Sequence, residues 1–208
     1  MDYTKQIKRI KEKLAKAKKI DTSYNVFGAR SHQYIIDTPA TEKEVIQFEE
    51  KYNIKLPSCY RAFLTQIGNG GNHYKNSITG NSAAGPDYGI YKLGSVFINC
   101  VANTELGYLQ KDVFFTENTT FDMWDRAYEA ISDDVTDDEF DEIEASMYAG
   151  ILTIGHAGCS NFNGIVLNGT QRGRVINIYD ELEYPPHYKE EKNFLDWYES
   201  WLNKIISK

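Results

Sequence analysis

His156 and Cys159 stand three residues apart in GHAGCSNFNG, a spacing that could set an imidazole base beside a thiol nucleophile as in cysteine hydrolases. The glycines around them favour a simpler expectation: a glycine-rich turn between two strands that holds a small buried thiol. Ser132 to Glu144 reads SDDVTDDEFDEIE, with eight carboxylates and no base. Asp133 and Glu144 match the ends of a calcium loop, yet Val135 replaces an oxygen ligand and Asp138 stands where the sharp turn needs glycine. Thr136 and Glu139 instead form a capping box, and carboxylates in a first helical turn meet exposed amides and the positive end of the helix dipole. That role accounts for Asp137, Asp138 and Glu139. It leaves Asp133, Asp134, Asp141 and Glu142 as surplus charge, which reads first as a solvated face and alternatively as a contact for a cationic partner.

A third candidate is Gly68-Asn69-Gly70-Gly71. A phosphate-binding loop precedes the helix whose free amides it uses, whereas this turn follows one, so it reads as a helix terminator. Asn69, Asn72 and Tyr74 in and after the turn could offer adaptable contacts to another protein. Widely separated His32, His73 and His187 do not form the close ligand pairs of structural zinc, and no cofactor motif is present.

The elements that position these groups follow from apolar spacing. Thr41 and Glu44 form a capping box ahead of Val45, Phe48 and Tyr52, and Pro57 offers the first position of a second helix carrying Tyr60, Phe63, Leu64 and Ile67. Asn72 to Pro86 reads as a loop, and Tyr88 to Asn99 as extended chain leading into a buried strand. Trp124, Tyr128 and Ile131 mark a helix, and Phe140, Ile143 and Met147 another. Ile151 to Ile154, Gly164 to Leu167 and Arg174 to Tyr179 are strand-like runs, the last two joined by the turn residues Asn168 to Gly173. Phe194, Trp197, Tyr198, Trp201, Leu202 and Ile205 define a strongly amphipathic last helix whose tryptophans face protein. This order predicts an α+β fold with an antiparallel or mixed sheet and flanking helices.

The 208 residues read as a single domain, long enough to bury roughly 70% of its unfolded surface. Cys59, Cys100 and Cys159 are odd in number and widely spaced, which points to reduced thiols and not a disulfide framework. No signal-peptide core or membrane span is legible, so cytoplasmic residence is expected, and the Asn118 and Asn168 glycosylation patterns carry no meaning there. Residues 1–20 hold eight Lys/Arg against Asp2 and Glu12, a balance of +6 that leaves −13 for the rest of a chain of net charge −7. An acidic body argues against direct nucleic-acid binding. The basic stretch, with Ile7, Ile10, Leu14 and Ala17 on one side, reads as a helix packing on the domain with its lysines in water; membrane-surface contact is the alternative, but it lacks bulky aromatics.

TPATEKEVIQFEEKYNIKLPSCYRAFLTQIGNGG, GCSNFNGIVLNGTQRGRVINIYD and FLDWYESWL together resemble the SUKH superfamily, which includes a yeast cell-wall assembly regulator family and many bacterial immunity proteins. The resemblance covers about 38–202, leaving 1–37 as an N-terminal helical extension and 132–144 as an acidic insertion. It implies a SUKH-like fold and a non-enzymatic, cofactor-free role in protein recognition. The expected function is that of an immunity protein neutralising a cognate toxin with a basic surface, such as a nuclease; a regulatory or scaffold protein and, more distantly, a Cys-His hydrolase are the alternatives.

Overall fold

The computed structural model describes residues 2–71, 82–95, 107–129, 135–159, 161–179, 182 and 184–207. Helices α1 (Thr4–Ile20), α2 (Ala29–His32), α3 (Glu42–Lys51) and α4 (Ser58–Gln66) come first, followed by the short strands β1 (Ser82–Ala83) and β2 (Ile90–Tyr91). A 3-10 turn at Tyr108–Gln110 precedes α5 (Phe121–Glu129) and α6 (Asp137–Met147). Strands β3 (Ile151–Gly158), β4 (Asn161–Val166), β5 (Val175–Tyr179) and β6 (His187–Tyr188) then lead into α7 (Phe194–Ile206). Among the described residues the six strands pair in sequence order, each antiparallel to the next, which resolves the expected α+β fold in favour of the antiparallel sheet.

Both expected capping boxes form. Thr41 Oγ1 accepts from Glu44 N–H at 3.2 Å while Glu44 Oε2 accepts from Thr41 N–H at 2.7 Å, and Thr136 and Glu139 repeat the exchange at 3.3 and 2.8 Å. Pro57 lies one residue earlier than the spacing predicts, at the cap of α4 and not its first turn. Glu49 fixes the angle between α3 and α4: its buried carboxylate accepts from Leu56 N–H at 2.9 Å and pairs with Arg61 at 3.0 Å and Lys55 at 3.2 Å.

Side-chain alternation along the strands divides the core in two. Leu152, Ile154, Ile165 and Val175 face a helical layer containing Ile10 of α1, Val45 of α3, Phe63 of α4 and Leu202 of α7. At its centre, the Phe63 ring lies 4.9 Å from Phe194 and 4.8 Å from Tyr198. Residues 1–37, expected as an extension, supply this layer with Ile7, Ile10, Ala17, Ala29 and Tyr34, all buried. On the other face Ile151, Val166, Ile176 and Ile178 pack with Phe115, Trp124, Met147 and Tyr148, and Trp124 Nε1 donates to the Leu182 carbonyl at 2.9 Å.

The GHAGCSNFNG segment differs from expectation. Strand β3 continues through it to Gly158, leaving the bend at Cys159, whose φ of 48° is left-handed. The reason is close approach: a Cβ at Gly155 would lie 2.5 Å from the Gly89 carbonyl oxygen, so glycine there lets β2 pair alongside. Cys159 is exposed, not buried.

Candidate protein-binding surface

The basic stretch is absorbed first. Its apolar side docks α1 against α7, and on the same seam Glu199 receives Arg9 Nε at 2.9 Å, Lys13 Nζ at 2.7 Å and Gln6 Nε2 at 3.2 Å. Burial alone would raise the carboxyl pKa of Glu199; the bonds from Arg9, Lys13 and Gln6 outweigh it and hold the group down to about 2. Lys5, Lys8, Lys11, Lys16, Lys18 and Lys19 remain exposed.

His156 and Cys159 do not share one environment. The His156 ring is half-buried, 5.4 Å from Tyr88 and 5.8 Å from Phe162, with Nδ1 buried and lacking a hydrogen bond. Burial lowers its pKa, opposed by the charge of Asp87. Cys159 stands outside this aromatic packing, in solvent. Asn69 is also used internally: it is buried, and its side-chain oxygen accepts from Leu93 N–H at 3.0 Å. Gly70 terminates this turn at φ 57°, in a gap that a Cβ would close to 2.2 Å from the Tyr91–Lys92 backbone. Asn72, Tyr74, Asp133 and Asp134 lie outside the described residues. Among the described residues no group of three or more His, Cys, Asp or Glu side chains is placed to hold a metal ion, and Glu144, which matches the last position of a calcium loop in sequence, is buried in α6.

Asp141 and Glu142 are exposed on α6, together with Asp137, Asp138 and Glu139, and residues 135–147 contain no Lys or Arg to neutralise them. Neighbouring α5 adds exposed Asp122 and Glu129; its one base, Arg126, turns its guanidinium to the Asp122 carbonyl at 3.0 Å. The result is a predominantly anionic helical face on the side of the sheet opposite α1, with Arg126 of α5 exposed beside it and Lys111 stacked over Tyr108, which shares a cavity with Glu139 and Glu142. Such a face can accelerate encounter with a cationic protein and repel a nucleic acid. The sequence reading located these carboxylates and missed the side chains beside them: Phe114, Phe121, Met123, Tyr128 and Tyr184 are all large, apolar and exposed. For Phe121, Met123 and Tyr128 the signal is present in FDMWDRAYE, where apolar residues occupy more of the helix circumference than one buried stripe requires.

A groove of about 460 Å³ runs between α7 and the Val26–Phe27 and Pro86–Asp87 segments, with Trp197, Trp201 and Lys204 along it. Asp87, Glu190 and Glu191 line it with Lys189 and Lys204, so its charge favours neither sign of ligand.

An antiparallel sheet clad on both sides by helices, one side carrying an exposed anionic face, defines an α+β fold. The description SMI1 / KNR4 family (SUKH-1) matches residues 39–200, and the chain belongs to that family. No curated protein and no solved structure matches it. Among the described residues no helix is long and apolar enough to cross a membrane.

Proposed function

We propose that this chain is an immunity protein that binds and neutralises a cognate toxin in the cytoplasm, by a contact that needs no cofactor. The observation that carries the reading is the exposed carboxylate face of α6, on a chain of the SMI1 / KNR4 family, membership that implies protein recognition. The toxin it suits has a basic surface. A nuclease fits, because its cleft is built to attract phosphates and an acidic protein can occupy the same field. Asp141 and Glu142, with Asp133 and Asp134 just before α6 in sequence and Asn72 and Tyr74 after the Gly68–Gly71 turn, are the proposed contact residues.

The test is affinity purification of the tagged chain from its native cell, with and without its neighbouring genes, followed by growth protection against the partner recovered. A single stoichiometric basic partner, encoded nearby and toxic without this chain, is the expected result. Several housekeeping partners and no protection would contradict it and favour a regulatory scaffold.

A further inference from the structure

We infer that the apolar side chains around α5 form the anchoring centre of this surface, and that they take a partner segment carrying both basic and apolar residues. The inference rests on the protein-binding reading above and assigns it a centre. Phe114 is 54% exposed, Met123 54%, Phe121 49%, Tyr184 48% and Tyr128 39%. Four of them gather around one buried ring: Phe114 lies 6.1 Å from Trp124, Phe121 and Tyr128 stand three residues before and four after Trp124 on the same side of α5, and the Phe121 and Tyr184 rings are 6.0 Å apart, while Met123, two residues from Phe121, lies on another side of the helix. Trp124 is almost wholly buried beneath them and tied to Leu182, so the patch has a rigid floor.

A connected group of exposed rings bordered by charged residues is the anatomy of a protein interface: an apolar centre that excludes water and a polar rim that steers. Charge identifies the occupant. Exposed Asp122 and Glu129 on α5, with Asp138, Asp141 and Glu142 on α6, which meets α5 at Tyr128 and Phe140, outnumber the one cation Arg126, so an acidic partner is repelled and a purely apolar one gains no steering. A basic segment with apolar anchors satisfies both parts.

The probes are three synthetic 18-residue peptides titrated against the full-length protein by fluorescence anisotropy at low and physiological salt: a helical Lys/Leu peptide, its Glu/Leu counterpart, and a Lys/Ser peptide of equal charge. Saturable one-to-one binding of Lys/Leu is expected, at least about tenfold tighter than either of the others. Phe121→Ser combined with Tyr128→Ser should weaken it by at least about tenfold, and Tyr184→Ser alone should weaken it measurably, while Ile46→Ser, at an exposed apolar position on α3, leaves it unchanged. Thermal unfolding confirms that each variant folds. No saturable binding, equal binding of Lys/Ser, or an unaltered double variant overturns the inference. A concentration-dependent dimer that the double variant dissolves also overturns it, by assigning the patch to a second copy of this chain. Growth protection is scored alongside. Protection without peptide binding removes the anchoring centre alone, whereas peptide binding without protection removes the immunity role alone.

Discussion

Helices α5 and α7 are both short, amphipathic and rich in aromatic residues, yet they meet opposite fates. α7 buries Phe194, Leu195, Trp197, Tyr198, Leu202 and Ile205, because α1 and α4 cover it while the sheet lies beneath. α5 buries Trp124 and leaves Phe121, Met123 and Tyr128 in solvent. Similar local sequence chemistry therefore has different uses. Where a second helical layer covers the rings they stabilise the fold; where none of the described elements does, they remain available to a partner.

The sharpest way to break this contrast is mutation on both sides. Phe63→Ala and Trp197→Ala should each cost about 3–5 kcal/mol in urea denaturation, because each removes a buried ring from the core, whereas Phe121→Ser should cost under about 0.5 kcal/mol. Comparable losses at all three positions would erase the distinction.

The α7 side should also be the acid-sensitive one. His32 is fully buried, its ring 5.7 Å from Trp201, and burial lowers its pKa from 6.5 to about 4, against smaller opposing effects from the Gly85 backbone and Asp21. The unfolded chain takes up that proton near pH 6.5 while the folded chain resists it, so neutral His32 contributes its full stability above pH 6.5 and loses it as pH falls toward 4. The loss is on the order of 3 kcal/mol. Glu199 adds a lower window: its depressed pKa contributes stability above about 4.5 that fades as pH drops toward 2. Denaturation at pH 7, 5.5 and 4.5 should show the first slope, and His32→Asn should flatten it. A smaller loss, about 1 kcal/mol, is expected for Glu199→Gln at pH 7, since Arg9 is half exposed and water screens its share.

On the α5 and α6 side the effects should appear in binding and not in folding. Replacing Asp133, Asp134 and Asp141 with Asn, and Glu142 with Gln, should leave the unfolding midpoint in place, slow association with the basic partner by about tenfold at low salt and flatten the salt dependence. An unchanged rate and salt slope would reduce this face to solvated charge. Cys159→Ala should be the quietest change: stability within about 0.5 kcal/mol and partner binding intact, because the thiol is exposed on a turn. A hydrolytic activity that this variant abolishes would instead revive the thiol as a nucleophile.

What the sequence made legible was local. The capping boxes at Thr41 and Thr136 each act within three residues, and the Asn168 to Gly173 turn fixes its hairpin through nearby residues, so both were readable. The apolar side of α1 was readable too. Its seat on α7 was not, since Arg9 and Lys13 meet Glu199 across nearly the whole chain. Periodicity named Trp124 and Tyr128 as one stripe but could not say that one would be covered and the other left open, because covering depends on a distant layer. The exposure of Cys159 was missed for a related reason: the glycines that suggested a wide turn are there to let β2 approach β3. Asn69 looked like a loop contact residue, and its bond to Leu93 N–H, from a segment more than twenty positions away, draws it inside.

Hydrogen–deuterium exchange on the chain alone and bound to the partner recovered by co-expression tests the division of labour most directly. The account predicts added protection over Phe121–Glu129 and Asp137–Met147 and little change over Thr4–Ile20 and Phe194–Ile206. Protection confined to the last two helices would place recognition on the wrong side of the sheet and contradict it.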